Sequence, residues 1–94
     1  MIVTLDEMKN AMKIDTNDDD DLILEDLEGA IALVKGMLRV EDFKEFTKQQ
    51  KSLIKRAIKY ATTYFYDFRE NKSDKILELN LRSMLTTLRE VKFW

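Results

Sequence analysis

The chain of 94 residues contains no proline, cysteine or histidine, and only two glycines. Because proline and glycine interrupt helices, and because alanine, leucine, lysine and glutamate are plentiful, the composition predicts an all-α protein. Without cysteine or histidine, the chain cannot form a disulfide, a thiolate or imidazole metal site, a cysteine nucleophile or a histidine-based triad. It also has no glycine-rich phosphate loop. We therefore predict neither enzymatic activity nor a cofactor.

The N-terminal region lacks the basic segment and apolar core of a secretion signal. Its apolar runs are too short to span a bilayer, so we expect a protein that is cytosolic where it is made. At this length the chain is expected to form one helical domain, residues 1–94. Its core should be modest, and oligomerisation would bury further surface.

The charges are unevenly distributed along the chain, although the net charge is only −2. Residues 1–42 carry 12 acidic and 4 basic side chains, a net charge of −8, whereas residues 43–94 carry 6 acidic and 12 basic, a net charge of +6. This polarity suits head-to-tail association of identical copies, but it can also be satisfied within one monomer.

Hydrophobic spacing predicts two helices in the first half of the chain. Thr4 and Glu7 have the spacing of a capping box, which predicts a first helix that ends near Lys13. The second helix is predicted by the apolar pattern of residues 22–38. The acidic run before it would satisfy free N–H groups at the helix start and oppose the helix dipole. This run consists of Asp18, Asp19, Asp20 and Asp21.

Two glycines in this second helix, Gly29 and Gly36, share one face. They predict a close approach of another helix, or a helix end at Gly36.

The second half of the chain predicts a long helix and a final helix. Residues 37–46 form a connection with about one helical turn in residues 41–45. Thr47 and Gln50 then predict a second capping box and a helix from Lys48 to about Glu70. A polar turn at residues 71–74 leads to the last helix, which ends near residue 90. Its apolar positions are Leu81, Leu85 and Leu88.

The long helix has an apolar face and a neighbouring basic face. The apolar positions are Ile54, Ile58, Ala61, Phe65 and Phe68. The basic positions are Lys44, Lys48, Lys51, Lys55, Lys59 and Arg69. The basic face is either a solvated surface or a surface that meets an acidic partner. Three tyrosines spread around the same helix suggest that it is covered on several sides, and these are Tyr60, Tyr64 and Tyr66.

A calcium loop and a DNA-binding module are the alternatives that the residues suggest. Asp15, Asn17, Asp19 and Asp21 alternate like the first half of an EF-hand. The sixth position, however, is Asp20 instead of glycine, and the twelfth is Asp26 instead of glutamate. We therefore predict no metal site. The basic face could follow phosphates, so a small helical regulatory or nucleic-acid-binding module remains the alternative function. The acidic isoelectric point and the lack of a tight helix-turn-helix argue against it.

The order of these motifs resembles the head–tail connector, or adaptor, family of tailed bacteriophages and prophages. The resemblance rests on four segments: residues 4–15 (TLDEMKNAMKID), residues 18–23 (DDDDLI), residues 57–70 (AIKYATTYFYDFRE) and residues 81–89 (LRSMLTTLR). Each segment alone shows little more than a helical pattern of apolar residues. The order and spacing of the four segments together are what is specific to the family.

This resemblance implies a bundle of about four helices with one long central helix. It also implies a structural role in a homo-oligomeric ring of about twelve copies, closed by heterologous contacts. Such a ring docks on the portal protein after DNA packaging, extends the channel through which phage DNA passes, and binds a neck or tail-completion protein. The expected location is the head–tail interface of the virion, after assembly in the host cytoplasm.

Two groups of residues are candidates for subunit contacts or for the lining of the channel. One group is the acidic run of Asp18, Asp19, Asp20 and Asp21; the other comprises Lys48, Lys51, Lys55, Lys59 and Arg69. An acidic lumen would repel DNA and let it slide. Phe93 and Trp94, two large apolar residues after the last helix, are candidate anchors in a partner's pocket, since tryptophan is common at hot spots.

Overall fold

The computed structural model of the chain describes residues 2–68 and 74–92, and these form four α-helices. In chain order the helices are α1 (Leu5–Met12), α2 (Asp20–Leu38), α3 (Lys48–Asp67) and α4 (Asp74–Lys92). Neither described stretch contains a strand, which confirms the predicted all-α fold there. The helix α3, with 20 residues, is the longest and packs against each of the other three.

The first helix begins and ends where the sequence predicts. The hydroxyl oxygen of Thr4 accepts the N–H of Glu7 at 3.2 Å, which satisfies one free donor of the first turn. At the other end Lys13 adopts a left-handed conformation with φ of 59°. The N–H of Ile14 then bonds to the carbonyl of Lys9 at 2.9 Å, as in a Schellman motif.

The second helix starts inside the acidic run and ends at a basic residue. It begins at Asp20 and closes with Arg39 in the left-handed region at φ of 56°. The N–H of Arg39 bonds to the carbonyl of Gly36 at 3.2 Å. Gly36 is thus inside the last turn of α2, and the prediction that it ends the helix is wrong. The left-handed residue that closes this Schellman motif is Arg39, although the left-handed conformation is sterically unfavourable for arginine.

The predicted capping box of the third helix is present in full. The N–H of Thr47 bonds to the side-chain oxygen of Gln50 at 2.8 Å, and the N–H of Gln50 bonds to the Thr47 hydroxyl at 3.2 Å. The helix starts at Lys48 and is described as far as Asp67. It ends there, with Phe68 as its C-cap, about three residues before the predicted end near Glu70. Glu70 and residues 71–73 of the predicted turn lie outside the described residues.

The connection between α2 and α3 contains a turn rather than a helical segment. The N–H of Phe46 bonds to the carbonyl of Phe43 at 3.3 Å. Both rings are buried, with 6.3 Å between their centroids. The predicted helical turn in residues 41–45 is therefore wrong, because the two phenylalanines fold the connection onto the core.

The core is formed by one apolar stripe from each helix and by the connecting phenylalanines. In α4 the stripe repeats at intervals of three and four residues: the predicted Leu81, Leu85 and Leu88 are buried, and Leu77 is buried with them. In α3, Ile54, Ile58 and Ala61 are fully buried as predicted. Phe68 is instead 50% exposed, because it follows the last turn of α3, where the helical stripe no longer faces the core. Each buried leucine or isoleucine contributes about 1.5–3 kcal/mol through burial.

Candidate protein interaction surfaces

Two of the four aspartates in the acidic run are bound within the chain. The hydroxyl of Tyr66 donates a hydrogen bond to the Asp19 carboxylate, and Lys9 lies 2.8 Å from an Asp20 oxygen. Asp18 and Asp21 are exposed. The run is therefore divided, with two members fixing helix ends and two facing solvent.

The acidic residues do not cap α2 in the predicted way. Asp19 occupies the N-cap position but makes no side-chain hydrogen bond to the helix N–H groups. Its carboxylate bonds to Tyr66 instead. The predicted capping role of this aspartate is wrong, because a partner 47 residues away in the sequence holds its side chain. The negative charges of Asp20 and Asp21 still lie in the first turn, where they oppose the helix dipole.

Lys9 joins the first helix to the start of the second. Its ammonium group donates to the side-chain oxygen of Asn17 at 2.7 Å and pairs with Asp20 at 2.8 Å. The side chain of Lys9 is only 12% exposed, so the pair is shielded from solvent on the lysine side. One cation thereby fixes both the linker and the first residue of α2.

The alternating Asp15, Asn17 and Asp19 do not form a calcium loop. A loop of this kind would need twelve residues, but α2 begins at Asp20, halfway through them. Within residues 2–68 and 74–92, no group of three or more acidic side chains is placed to hold a metal ion.

The basic residues of α3 form a stripe along one flank of the helix. Lys48 is exposed, and the next three lysines, Lys51, Lys55 and Lys59, are half-buried. None of the four has an ion-pair partner among the residues that the structure describes. Lys44 lies in the connection before α3, and Arg69 lies outside the described residues. The lysine stripe, meaning Lys48, Lys51, Lys55 and Lys59, is thus unneutralised within the described part of one copy.

The acidic run and the lysine stripe extend toward opposite ends of the molecule. Asp19 meets Tyr66 near the end of α3, so α2 and α3 run antiparallel. Lys48 is 18 residues before Tyr66, which corresponds to about 27 Å at 1.5 Å per residue. The run therefore cannot neutralise the N-terminal part of the stripe within one copy.

A second acidic surface, which the sequence analysis missed, lies on α2 itself. Asp21, Glu25 and Glu28 are all exposed, and their i, i+4, i+7 spacing places them on one helix face. Within the described parts of the chain, none of these carboxylates has an ion-pair or hydrogen-bond partner. The sequence signal for this face is the recurrence of acidic residues at helical intervals, which overlaps the run of consecutive aspartates at Asp21.

The outer side of α2 also carries small residues. Gly29, Ala32 and Gly36 are exposed, and a Cβ atom added at either glycine would meet nothing within 4 Å. Among the residues that the structure describes, no helix of the same copy therefore approaches α2 closely at these glycines. The predicted close approach is wrong within one chain, because the glycines face away from the core.

The three tyrosines of α3 are half-buried and take part in contacts within the chain. Tyr66 binds Asp19, and the hydroxyl of Tyr60 accepts the side-chain amide of Asn80 in α4 at 2.6 Å. The ring of Tyr64 lies 4.9 Å from that of Phe68. The tyrosines thus link α3 to α2 and α4, and their predicted role in subunit contacts stays a prediction.

The large exposed apolar side chains of the described residues are Leu22, Phe68, Ile76 and Leu79. They belong to the first turns of α2 and α4 and to the end of α3. The Asp19–Tyr66 and Tyr60–Asn80 hydrogen bonds bring these helix ends together. Large apolar side chains that remain exposed near one end of a bundle are candidates for a protein–protein contact. We call this surface the apolar end.

A groove of about 350 Å³ lies beside the second half of α2 and the connection that follows it. Its walls are apolar, and its rim carries one cation and two carboxylates. The lining residues are Ile2, Glu28, Ile31, Ala32, Lys35, Asp42 and Phe43. The ammonium of Lys35 lies 5.7 Å from the centre of the Phe43 ring, as in a cation–π contact.

The whole-chain sequence comparison decides the family. The family described as "Phage gp6-like head-tail connector protein" matches residues 2–92. The chain belongs to this family. Searches of functionally described proteins and of solved structures found no significant match.

Membership of the head–tail connector family makes this chain a structural component of a phage particle that contacts other head or tail proteins. The match includes α1 to α4 and the connections between them, so the resemblance seen in the order of the sequence motifs is confirmed. Within the described residues, no helix is both long enough and apolar enough to cross a bilayer. The candidate anchors Phe93 and Trp94 lie outside the described residues.

Proposed function

We propose that this connector is the one-domain subunit of a homo-oligomeric ring that docks on the portal protein after DNA packaging. The ring would extend the DNA channel and join the head to a neck or tail-completion protein. It would assemble in the host cytoplasm and remain at the head–tail interface of the virion. The family match across residues 2–92 is the observation that carries this proposal.

Charge on the subunit supports assembly from identical copies. The lysine stripe is unneutralised within the described part of one copy, and Asp18 and Asp21 are exposed at the start of α2. In a ring with heterologous contacts, one surface of each copy binds a different surface of the next copy. We propose that the exposed acids and the stripe, together with Arg69, lie at the subunit junction or face the DNA channel. Asp19 and Asp20 contribute indirectly, by holding the start of α2 against Tyr66 and Lys9.

The apolar end supports contact with a different protein. Its side chains are between 41% and 60% exposed, and they lie away from the N-terminal part of the lysine stripe. We propose that this end docks on a neighbouring head or tail component. Phe93 and Trp94 would add aromatic anchors, because large aromatic side chains carry much of the binding energy at protein interfaces.

Native mass spectrometry of the purified chain, alone and mixed with purified portal rings, tests this function. We expect a complex that contains one portal ring and about a dozen copies of the chain, as a closed heterologous ring predicts. Portal rings incubated with an unrelated helical protein of similar size serve as the control. Failure of the chain to bind portal rings or DNA-filled heads would contradict the proposal.

The lysine stripe also favours one alternative, a module that binds nucleic acid through phosphates. That function predicts that the isolated subunit shifts DNA in a gel, with an affinity that falls steeply as salt rises. The connector function predicts no such shift by the isolated subunit at physiological salt. The same protein preparation therefore separates the two functions.

A further inference from the structure

The spacing of charges on α2 matches that on α3 when one helix is reversed. On α2 the exposed carboxylates read Glu28, Glu25, Asp21 toward the N-terminus, with intervals of three and four residues. The first three lysines of the stripe, read toward the C-terminus, have the same intervals. Each set spans seven residues, or about 10 Å of helix.

An antiparallel alignment of the two helices gives three opposite-charge pairs. Glu28 would face Lys48, Glu25 would face Lys51, and Asp21 would face Lys55. In a parallel alignment, Asp21, Glu25 and Glu28 would need lysines at intervals of four and then three residues. On the basic face these intervals occur only if Lys44 is included, and Lys44 precedes α3. The agreement of spacing therefore specifies a direction as well as a charge.

These pairs cannot form within one copy. The α3 helix of the same chain packs against the core face of α2, where Ile23, Leu27 and Val34 are fully buried. The acidic face is on the solvent side of α2. The lysines that it meets must therefore come from another copy.

The backbone of α2 is accessible on this side. Gly29, Ala32 and Gly36 extend the acidic face toward the end of α2, and nothing in the described part of the same copy occupies the space beside either glycine. In this antiparallel alignment the small residues would face residues 40–47 of the second copy, the connection that precedes α3, and would leave room for it.

We propose that the outer face of α2, with Asp21, Glu25 and Glu28, binds the lysine stripe of a second copy in an antiparallel arrangement. The acidic partner of the stripe is thus the helical face, which shares only Asp21 with the run of four aspartates. This inference rests on the proposed ring function, because a contact between two different surfaces repeats from copy to copy until it closes. The charge pairs set direction and register, while the small residues leave room for the connection that precedes α3.

Charge exchange between two variants tests the interface. The acidic variant carries Lys51→Glu and Lys55→Glu, and the basic variant carries Asp21→Lys and Glu25→Lys. Each alone should lose at least tenfold in assembly at low salt, on portal rings or in solution, as measured by sedimentation. An equimolar mixture should assemble again, because each copy then meets an oppositely charged neighbour. The control variant, with Lys75→Glu and Arg82→Glu on the exposed side of α4, should assemble like the unmodified chain.

Disulfide trapping tests the register without changing the charge pattern at several positions. Because the chain has no cysteine, the pair Glu28→Cys with Lys48→Cys would introduce its only thiols. A disulfide needs Cα atoms within about 7 Å, so oxidation should give a ladder of linked copies on a non-reducing gel. The pair Glu28→Cys with Lys55→Cys is out of register by seven residues and should give no ladder.

The outcomes separate this interface from the ring function. If the unmodified chain assembles on portal rings, and both charge variants assemble equally well with no ladder from the in-register cysteines, the interface is wrong while the ring function stands. If the unmodified chain never assembles, the ring function fails and the interface fails with it. Thermal unfolding of each variant, with a midpoint near that of the unmodified chain, shows that a loss of assembly is not a loss of folding.

Discussion

The hydroxyl of Tyr66, in the last turn of α3, donates a hydrogen bond to the carboxylate of Asp19, the residue before α2. The two residues are 47 positions apart in the sequence, and both are half-buried. The contact fixes the antiparallel pairing of the two helices at one end of the molecule. It also makes Asp19 less accessible to solvent or to a partner than the exposed Asp18 and Asp21.

Replacing Tyr66 with phenylalanine is expected to lower the free energy of unfolding by about 1–2 kcal/mol, because a hydrogen bond to a charged group is lost while the ring remains. Urea denaturation followed by circular dichroism measures the change. Tyr60→Phe is the matched control, since its hydroxyl meets Asn80 at an exposed site and its loss should cost less. Equal effects of the two substitutions would contradict the special role of the Asp19 contact.

Replacing Lys9 with methionine is expected to destabilise the chain by about 1–2 kcal/mol, because one oxygen of Asp20 is shielded from solvent and would lose its cation. The methionine keeps the length of the side chain and most of its packing. Urea titration measures the difference, and the double variant Lys9→Met with Asp20→Asn should recover part of it. A Lys9→Met protein as stable as the unmodified chain would show that the pair contributes nothing.

The helices could be predicted from the sequence because their signals are local. Thr4, Thr47 and Gln50 act on N–H groups within three residues, and the leucines of α4 repeat at helical intervals. The apolar pattern of residues 22–38 ends where α2 ends. The alternative helix end at Gly36 is wrong because the residue at the left-handed position is Arg39, whereas a glycine is the usual signal for that conformation.

The division of the acidic run could not be predicted, because its causes are not local. Nothing in the four consecutive aspartates indicates that Tyr66 holds one of them and Lys9 another. The acidic face of α2, by contrast, could have been found from the repeat of Asp21, Glu25 and Glu28 once the helix was predicted. Long-range contacts decide which charges are used inside the subunit and which are left for partners.

The two glycines of α2 predict that the isolated subunit can be stabilised without loss of packing. Gly36→Ala should raise the free energy of unfolding by about 0.5–1 kcal/mol, because alanine loses less backbone entropy in a helix and its Cβ would meet no neighbour. The reverse change, Ala32→Gly on the same face, should lower it by a similar amount. Urea midpoints measure both, and a fall in stability with Gly36→Ala would mean that its Cβ does meet a neighbour.

The left-handed conformation of Arg39 predicts that the same substitution has opposite effects at two positions. At φ of 56° the Cβ of arginine costs about 1–2 kcal/mol, and glycine removes that cost. Arg39→Gly is therefore expected to stabilise the subunit by up to about 1 kcal/mol, after allowance for the greater entropy of glycine in the unfolded chain. Arg56 is also exposed but lies in the middle of α3, so Arg56→Gly should destabilise by about 1 kcal/mol. Thermal and urea unfolding of the two variants in parallel measure the difference. Because the charge change is identical, opposite signs can come only from the backbone, and a loss of stability in both variants would mean that the Arg39 side chain stabilises the fold by more than its strained backbone costs.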